Sequence, residues 1–134
     1  MNTTTEIIVR WNDCDPMGHA NNAVYFTYFE QARVALFREF FGIKEGKPVL
    51  ASHFPFIIAE ISCKFLKPVH VDERLIVETR VTQVKNSSFI VEYDMIYKQN
   101  GEQVATGSST LVWYDYKTGK SAPIPEEYRK KLTS

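Results

Sequence analysis

Cysteine is scarce in this sequence. There are two, Cys14 and Cys63, far apart and in no CxxC pair. That excludes a disulfide framework and leaves no third or fourth ligand for a structural zinc. Two reduced thiols fit a cytoplasmic protein. Charge of one sign is also missing, because 16 Lys and Arg balance 16 Asp and Glu. A net charge of zero gives no basic surface to hold DNA or RNA. No apolar run approaches the ~20 residues of a membrane span. The opening residues Met1-Asn2-Thr3-Thr4-Thr5-Glu6 lack the basic and apolar regions of a signal peptide. With no repeat and no linker, residues 1–134 are expected to form a single domain. The expectation is a soluble cytoplasmic protein with no nucleic-acid partner, no membrane partner and no cofactor.

What the chain does have is aromatic surface. Nine Phe and seven Tyr must be buried somewhere. Thr5 to Trp11 is short and β-branched, and predicts a strand. Asn12 to Gly18 is rich in Asn, Asp, Pro and Gly, and predicts a turn. Asn21 to Phe41 predicts a long helix. Asn21 or Asn22 can cap its start, and Gly42 stands where helices commonly end. Tyr25, Tyr28, Phe29, Ala32, Leu36 and Phe40 form one apolar face. Val24, Phe26, Val34, Phe37 and Phe41 lie off it, so the helix is apolar well beyond a surface helix and belongs inside the fold.

Lys44 to Pro55 reads as a loop. Beyond it the period changes from helical to two. Ile57 to Phe65, Leu75 to Thr82, Phe89 to Tyr97 and about Gln103 to Tyr114 each alternate apolar and polar residues, the pattern of strands with one buried face. Asn86-Ser87-Ser88 and Asn100-Gly101 separate strands, the latter suiting a tight hairpin. Thr118-Gly119 is a further turn, and Pro125 to Leu132 a short polar helix. Consecutive strands after one apolar helix predict an α+β fold: an antiparallel sheet of about five strands wrapped around a central helix. Such a sheet leaves apolar edges. A second copy would extend it, so a homodimer or homotetramer is expected.

Chemistry-bearing residues gather just before the helix: Asp13, Asp15, His19, Asn21 and Asn22. A helix start offers free N–H groups and the positive end of the helix dipole. That arrangement can polarise a carbonyl oxygen, and a carboxylate beside it can act as base or nucleophile on the carbonyl carbon. One His with two carboxylates at this spacing is a poor metal site, so none is expected. Asp-x-Pro turns and Asn caps are also ordinary helix-start chemistry, and the local pattern alone leaves catalysis and capping both open.

The segment Arg10-Trp11-Asn12-Asp13-Cys14-Asp15-Pro16-Met17-Gly18-His19-Ala20-Asn21-Asn22-Ala23-Val24-Tyr25-Phe26 resembles the opening motif of hotdog-fold thioesterases of the 4-hydroxybenzoyl-CoA thioesterase type, roughly R-[WY]-x-D-x-D-x-x-G-H-[VA]-N-N-x-x-Y-[FL]. Tyr28, Phe29, Glu30 and Arg33 continue the match. Cys63 to Val69, followed by Val71 to Thr79, resembles the family's later strand segment. The resemblance spans nearly the whole chain. It implies a hotdog fold and hydrolysis of acyl-CoA thioesters to free acid and CoA. It puts the catalytic carboxylate at Asp15 and the carbonyl-polarising backbone N–H near Asn22, with Asp13 supporting the turn. His19 takes the place of a histidine in plant acyl-ACP thioesterases. Their Asn two residues after the Asp is Met17 here, so the full Asp-Asn-His set is absent. His19 is then a candidate catalytic residue whose role stays open between direct participation, orienting Asp15 or water, and capping the helix.

Tyr25, Phe26, Phe29, Phe54 and Phe56 are candidates to line an acyl pocket, with core packing as the other reading. Lys64, Lys67 and Arg74 are candidates for the CoA phosphates, with solvated surface charge as the other reading. Three other functions stand beside acyl-CoA hydrolysis: an acyl-ACP thioesterase, a hotdog enoyl-CoA hydratase, and a non-catalytic acyl-binding protein. The hydratase motif needs an Asn-Pro that is absent here.

Overall fold

The helix and its cap set the geometry of everything else. In the computed structural model, which describes residues 1–50 and 55–134, helix α1 spans Asn22–Phe41. Asn21 is its cap: the side-chain oxygen accepts the Ala23 N–H at 3.0 Å. The helix stops at Gly42, whose φ of 64° is left-handed and whose N–H closes on Arg38 and Glu39 carbonyls. Tyr28, Phe29, Ala32, Leu36 and Phe40 are buried, as their spacing predicts.

Strands β1 (Asn2–Ile8), β2 (Phe56–Phe65), β3 (Arg74–Val84), β4 (Ser88–Tyr97) and β5 (Gln103–Asp115) form an antiparallel sheet in the order β1-β3-β4-β5-β2. A two-residue β6 (Lys120–Ser121) pairs with β5, and α2 (Glu126–Thr133) closes the described chain. The inner face presents Leu75, Val77, Phe89, Val91, Tyr93, Met95 and Leu111, all buried. Phe29 stacks on Tyr93 with ring centroids 4.5 Å apart. It lies so close to β5 that a Cβ on Gly107 would come within 2.4 Å of its ring. Burying a Phe of this kind contributes roughly 1.5–3 kcal/mol.

Two details differ from the sequence expectation. The first strand is Asn2–Ile8 rather than Thr5 to Trp11, and Trp11–Asp13 forms a 3-10 turn. The cause is Asp13, which bonds back to Arg10 and pulls the chain out of extended conformation. Also, β2 does not hairpin with β3. It lies at the far edge, against β5, and the chain leaving it donates Leu66 and Lys67 N–H groups to the Val104 carbonyl. Only β3, β4 and β5 form the consecutive meander. Asn100-Gly101 does turn β4 into β5, with Gly101 at φ 74°. The two strands at the edges, β1 and β2, are treated differently. β1 packs against α1, whereas Ile57, Ile58, Ile61 and Phe65 of β2 remain exposed.

Candidate active site

Residues 10–20 form a loop held at both ends. Asp13 is its fixed point, and it is buried. Arg10 donates to it from Nη2 at 2.8 Å and from its backbone N–H at 3.0 Å. The Tyr28 hydroxyl donates at 2.8 Å, and the Asp13 carbonyl accepts the Asn21 N–H. Burial opposes ionisation of Asp13, but the Arg10 and Tyr28 hydrogen bonds outweigh it and hold the carboxyl below its usual value. Burial, reinforced by that same carboxylate, drives the Tyr28 hydroxyl far above its ordinary value. The loop is thereby tied to α1, and Asp13 supports the turn.

Asp15 lies two residues on, at the head of a turn. Its N–H donates to the His19 carbonyl at 2.9 Å, and its own carbonyl accepts from Gly18. Gly18 takes φ 83°, which a larger residue would hold only under strain. One carboxylate oxygen, Oδ1, accepts the Met17 N–H at 2.8 Å. The other has no hydrogen-bond partner among the described residues. Cys14 and Ala20 bridge across the loop, and Ala20 N–H bonds the Val69 carbonyl. His19 pairs with His70 in the same way, and their rings meet edge-to-face at 4.9 Å. His70 is fixed in turn by Glu73, which accepts from its backbone at 2.7 Å and contacts Nδ1 at 2.9 Å.

The helix start completes the site. Ala23 N–H goes to the Asn21 side chain and Val24 N–H to the Asn21 carbonyl. The Asn22 N–H is left without an acceptor among the described residues, at the positive end of the α1 dipole. Asp15, His19, Asn22, Tyr25 and Lys67 line one cleft of about 260 Å³ together with Phe65 and Leu66. Asp15 also borders a second cleft of about 650 Å³, beside Trp11, Cys14 and Val71. Asp15 and Asn22 thus line the same cleft, and a free carboxylate oxygen and an unused N–H are the two kinds of group that attack on a carbonyl requires.

Of the site residues expected from sequence, Asp15, His19, Asn22, Tyr25 and Lys67 thus meet in one cleft. Tyr25 reaches it as a mostly buried ring. Its hydroxyl donates to the Lys67 carbonyl at 3.0 Å, and burial pushes it up to about 12. The Lys67 ammonium is engaged by Glu102. Phe29 and Lys64 are elsewhere. Phe29 is wholly core, and Lys64 borders a cleft on the sheet with Arg80 and Asp94. Arg74 pairs with Glu6 at 2.9 Å. Phe26 is partly buried, and Phe56 packs against Phe37, Phe40 and Phe41. Phe54 lies outside the described residues. Cys14 and Cys63 are free thiols, and burial pushes Cys63 up to about 11. Among the described residues no cluster of His, Cys, Asp or Glu suits a metal ion, and no described helix is long and apolar enough to cross a membrane. His70 and Glu73 carry no local signal in the sequence. They join the site only because the segment after β2 docks on the loop.

A family model for the thioesterase-like superfamily matches residues 9–132. The chain belongs to that superfamily. It is a hotdog-fold thioester hydrolase, and its relatives bear this out. The long-chain acyl-CoA thioesterase FadM of Escherichia coli is 27% identical over 131 residues, covering 96% of this chain and 95% of FadM. A Thermus thermophilus thioesterase solved with coenzyme A and Zn is 30% identical, with TM-score 0.83 over 98% of this chain and 97% of that one. A predicted thioesterase from Bacillus stearothermophilus is 25% identical, with TM-score 0.88 over 99% and 95%. In this thioesterase the motif that carries the resemblance, residues 10–26, is the loop and helix start that build the cleft.

Proposed function

We propose that this thioesterase hydrolyses acyl-CoA to free acid and CoA, with Asp15 as the catalytic carboxylate and the Asn22 N–H as the donor to the thioester carbonyl. The observation that carries the reading is that Asp15, with one free carboxylate oxygen, and Asn22, with an N–H that no described residue accepts, line one cleft. The carbonyl oxygen accepts from Asn22, where the helix dipole stabilises the charge that develops as the carbon becomes tetrahedral. Asp15 either takes a proton from an attacking water or attacks the carbon itself, forming a mixed anhydride that water then opens. In both routes the C–S bond breaks and CoA leaves as thiolate, so no strong general acid is required. His19, packed on His70, orients Asp15 or the water. Tyr25 and Lys67 border the entering substrate.

The acyl-CoA carrier is supported by the FadM likeness and by the coenzyme A in the Thermus thermophilus relative. A long-chain fatty acyl group is the first substrate to try. We further propose that residues 1–134 act as one domain, in the reducing cytoplasm, as a homodimer joined through β2. That strand is an open edge with Ile57, Ile58 and Ile61 exposed, and such edges are covered in stable proteins. The test is thiol release from acyl-CoA esters of graded chain length, with acyl-ACP and enoyl-CoA as comparison substrates. Release of CoA with a chain-length optimum is expected. Turnover of acyl-ACP alone, hydration of enoyl-CoA, or binding without turnover would each replace this reading with a different one. In a single turnover in isotope-labelled water, label in Asp15 identifies an anhydride opened at the Asp15 carbonyl. Label in the product acid alone comes from direct water attack or from an anhydride opened at the acyl carbon, which trapping of the acylated Asp15 then separates.

A further inference from the structure

Arg33 is a buried cation without a counter-ion. It is 5% exposed. Its Nη1 donates to the Tyr93 hydroxyl at 3.1 Å, and that hydroxyl is shared with Ser109 at 2.6 Å. Among the described residues no carboxylate lies within ion-pair distance of it, and 51–54 contain no acidic residue. Neutral partners do not offset the loss of water around a charge. Beside Arg33 a cavity of about 300 Å³ opens between α1 and β2, walled by Val34, Phe37, Ile58 and Leu111. Glu30, exposed, stands at the same opening.

The level of these residues along the fold is informative. Phe65, at one end of β2, packs on Tyr25 and Phe26 in the first turns of α1. Phe56, at the other end, packs on Phe37, Phe40 and Phe41 in the last turns. The middle of the strand, Glu60 and Ile61, is therefore level with the middle of the helix, which falls between Glu30 and Arg33. If two copies pair β2 with β2 antiparallel about the strand centre, the same two-fold axis passes the helix centres. A residue just before the centre of one helix then faces a residue just after the centre of the other, because a two-fold interface is self-complementary.

We infer that Glu30 and Arg33 form reciprocal ion pairs across this dimer, Glu30 of each copy meeting Arg33 of the partner subunit. This rests on the β2-mediated dimer proposed above. The second copy supplies the carboxylate that the buried guanidinium lacks, and the exposed isoleucines of β2 are covered by the same contact.

Sedimentation measures the test. The wild-type chain is expected to be a dimer. Glu30→Arg sets like charges against each other twice and should weaken dimerisation about tenfold or more, as for charge pairs at other interfaces. Arg33→Glu should do the same. An equal mixture of the two variants should restore the dimer, since one copy then offers two cations and the other two carboxylates. A pair made within one chain would give no rescue on mixing. Should Arg33→Glu fail to fold, Glu30→Gln and Arg33→Gln replace it, and the double variant should dimerise no worse than the weaker single one. A Glu30→Arg chain that dimerises as tightly as wild type overturns the ion pairs and leaves the dimer standing. A wild-type monomer overturns both, and leaves the hydrolase reading to the thiol-release assay.

Discussion

Asp13 and Asp15 stand two residues apart in one loop, yet the fold treats them in opposite ways. Asp13 is buried, and both oxygens are taken by Arg10 and Tyr28. Asp15 is only partly buried, and one oxygen is left without a partner in a cleft. A fully satisfied carboxylate has no lone pair to offer a substrate. A half-satisfied one that lines the same cleft as a residue with an unused N–H offers the electrons, and the N–H offers the donor to a carbonyl oxygen. The same loop therefore separates structure from catalysis by how completely it uses each side chain.

Substitutions at each position test that division, and the largest effect is expected at Asp15. Asp15→Asn keeps the Met17 hydrogen bond through the amide oxygen but removes the base or nucleophile. Turnover should fall roughly 10²–10⁴-fold, the usual worth of such a group, in a thiol-release assay. Asp13→Asn should instead cost about 2 kcal/mol of stability in urea unfolding, the scale of hydrogen bonds to a charged group. Its pH dependence has a definite sign. The folded carboxyl is held below its unfolded value, so its contribution is present above the unfolded pKa and lost as pH falls through the folded one. In Asp13→Asn the acid-side loss of stability should be shallower than in wild type. Next, His19→Ala should lower kcat about tenfold, on the order of 1.4 kcal/mol, with a smaller change in KM. A loss as deep as that of Asp15→Asn would promote His19 from positioning residue to direct participant. The smallest effect is expected at Asn21→Ala, which removes the cap from Ala23 and should cost about 1 kcal/mol by thermal unfolding.

Legibility in the sequence follows the range of the interactions. The helix was plain, because Asn21, Gly42 and the Tyr25 to Phe40 spacing are local signals. The four later strands were plain from alternation. The position of β2 was not, because pairing with β5 rather than β3 is decided by backbone bonds to Val104, far along the chain. The end of β1 was misplaced because Arg10 and Trp11 have strand-like side chains while Asp13 dictates a turn. In the site, Asp15, His19 and Asn22 sit on one short motif and were readable together. Tyr25 and Lys67 were brought to them by the Lys67 carbonyl bond. Phe29 and Lys64 share the composition of pocket and phosphate contacts, but the core and the sheet's far side claimed them. His70 and Glu73 were invisible, since a histidine edge contact between distant segments leaves no periodicity behind.

The most direct test of the central claim is thiol release by Asp15→Asn at saturating acyl-CoA, measured on protein whose unfolding midpoint matches wild type. A fall in kcat of about a hundredfold or more is predicted. Turnover close to wild type in that folded variant would contradict the assignment of Asp15 as the catalytic carboxylate.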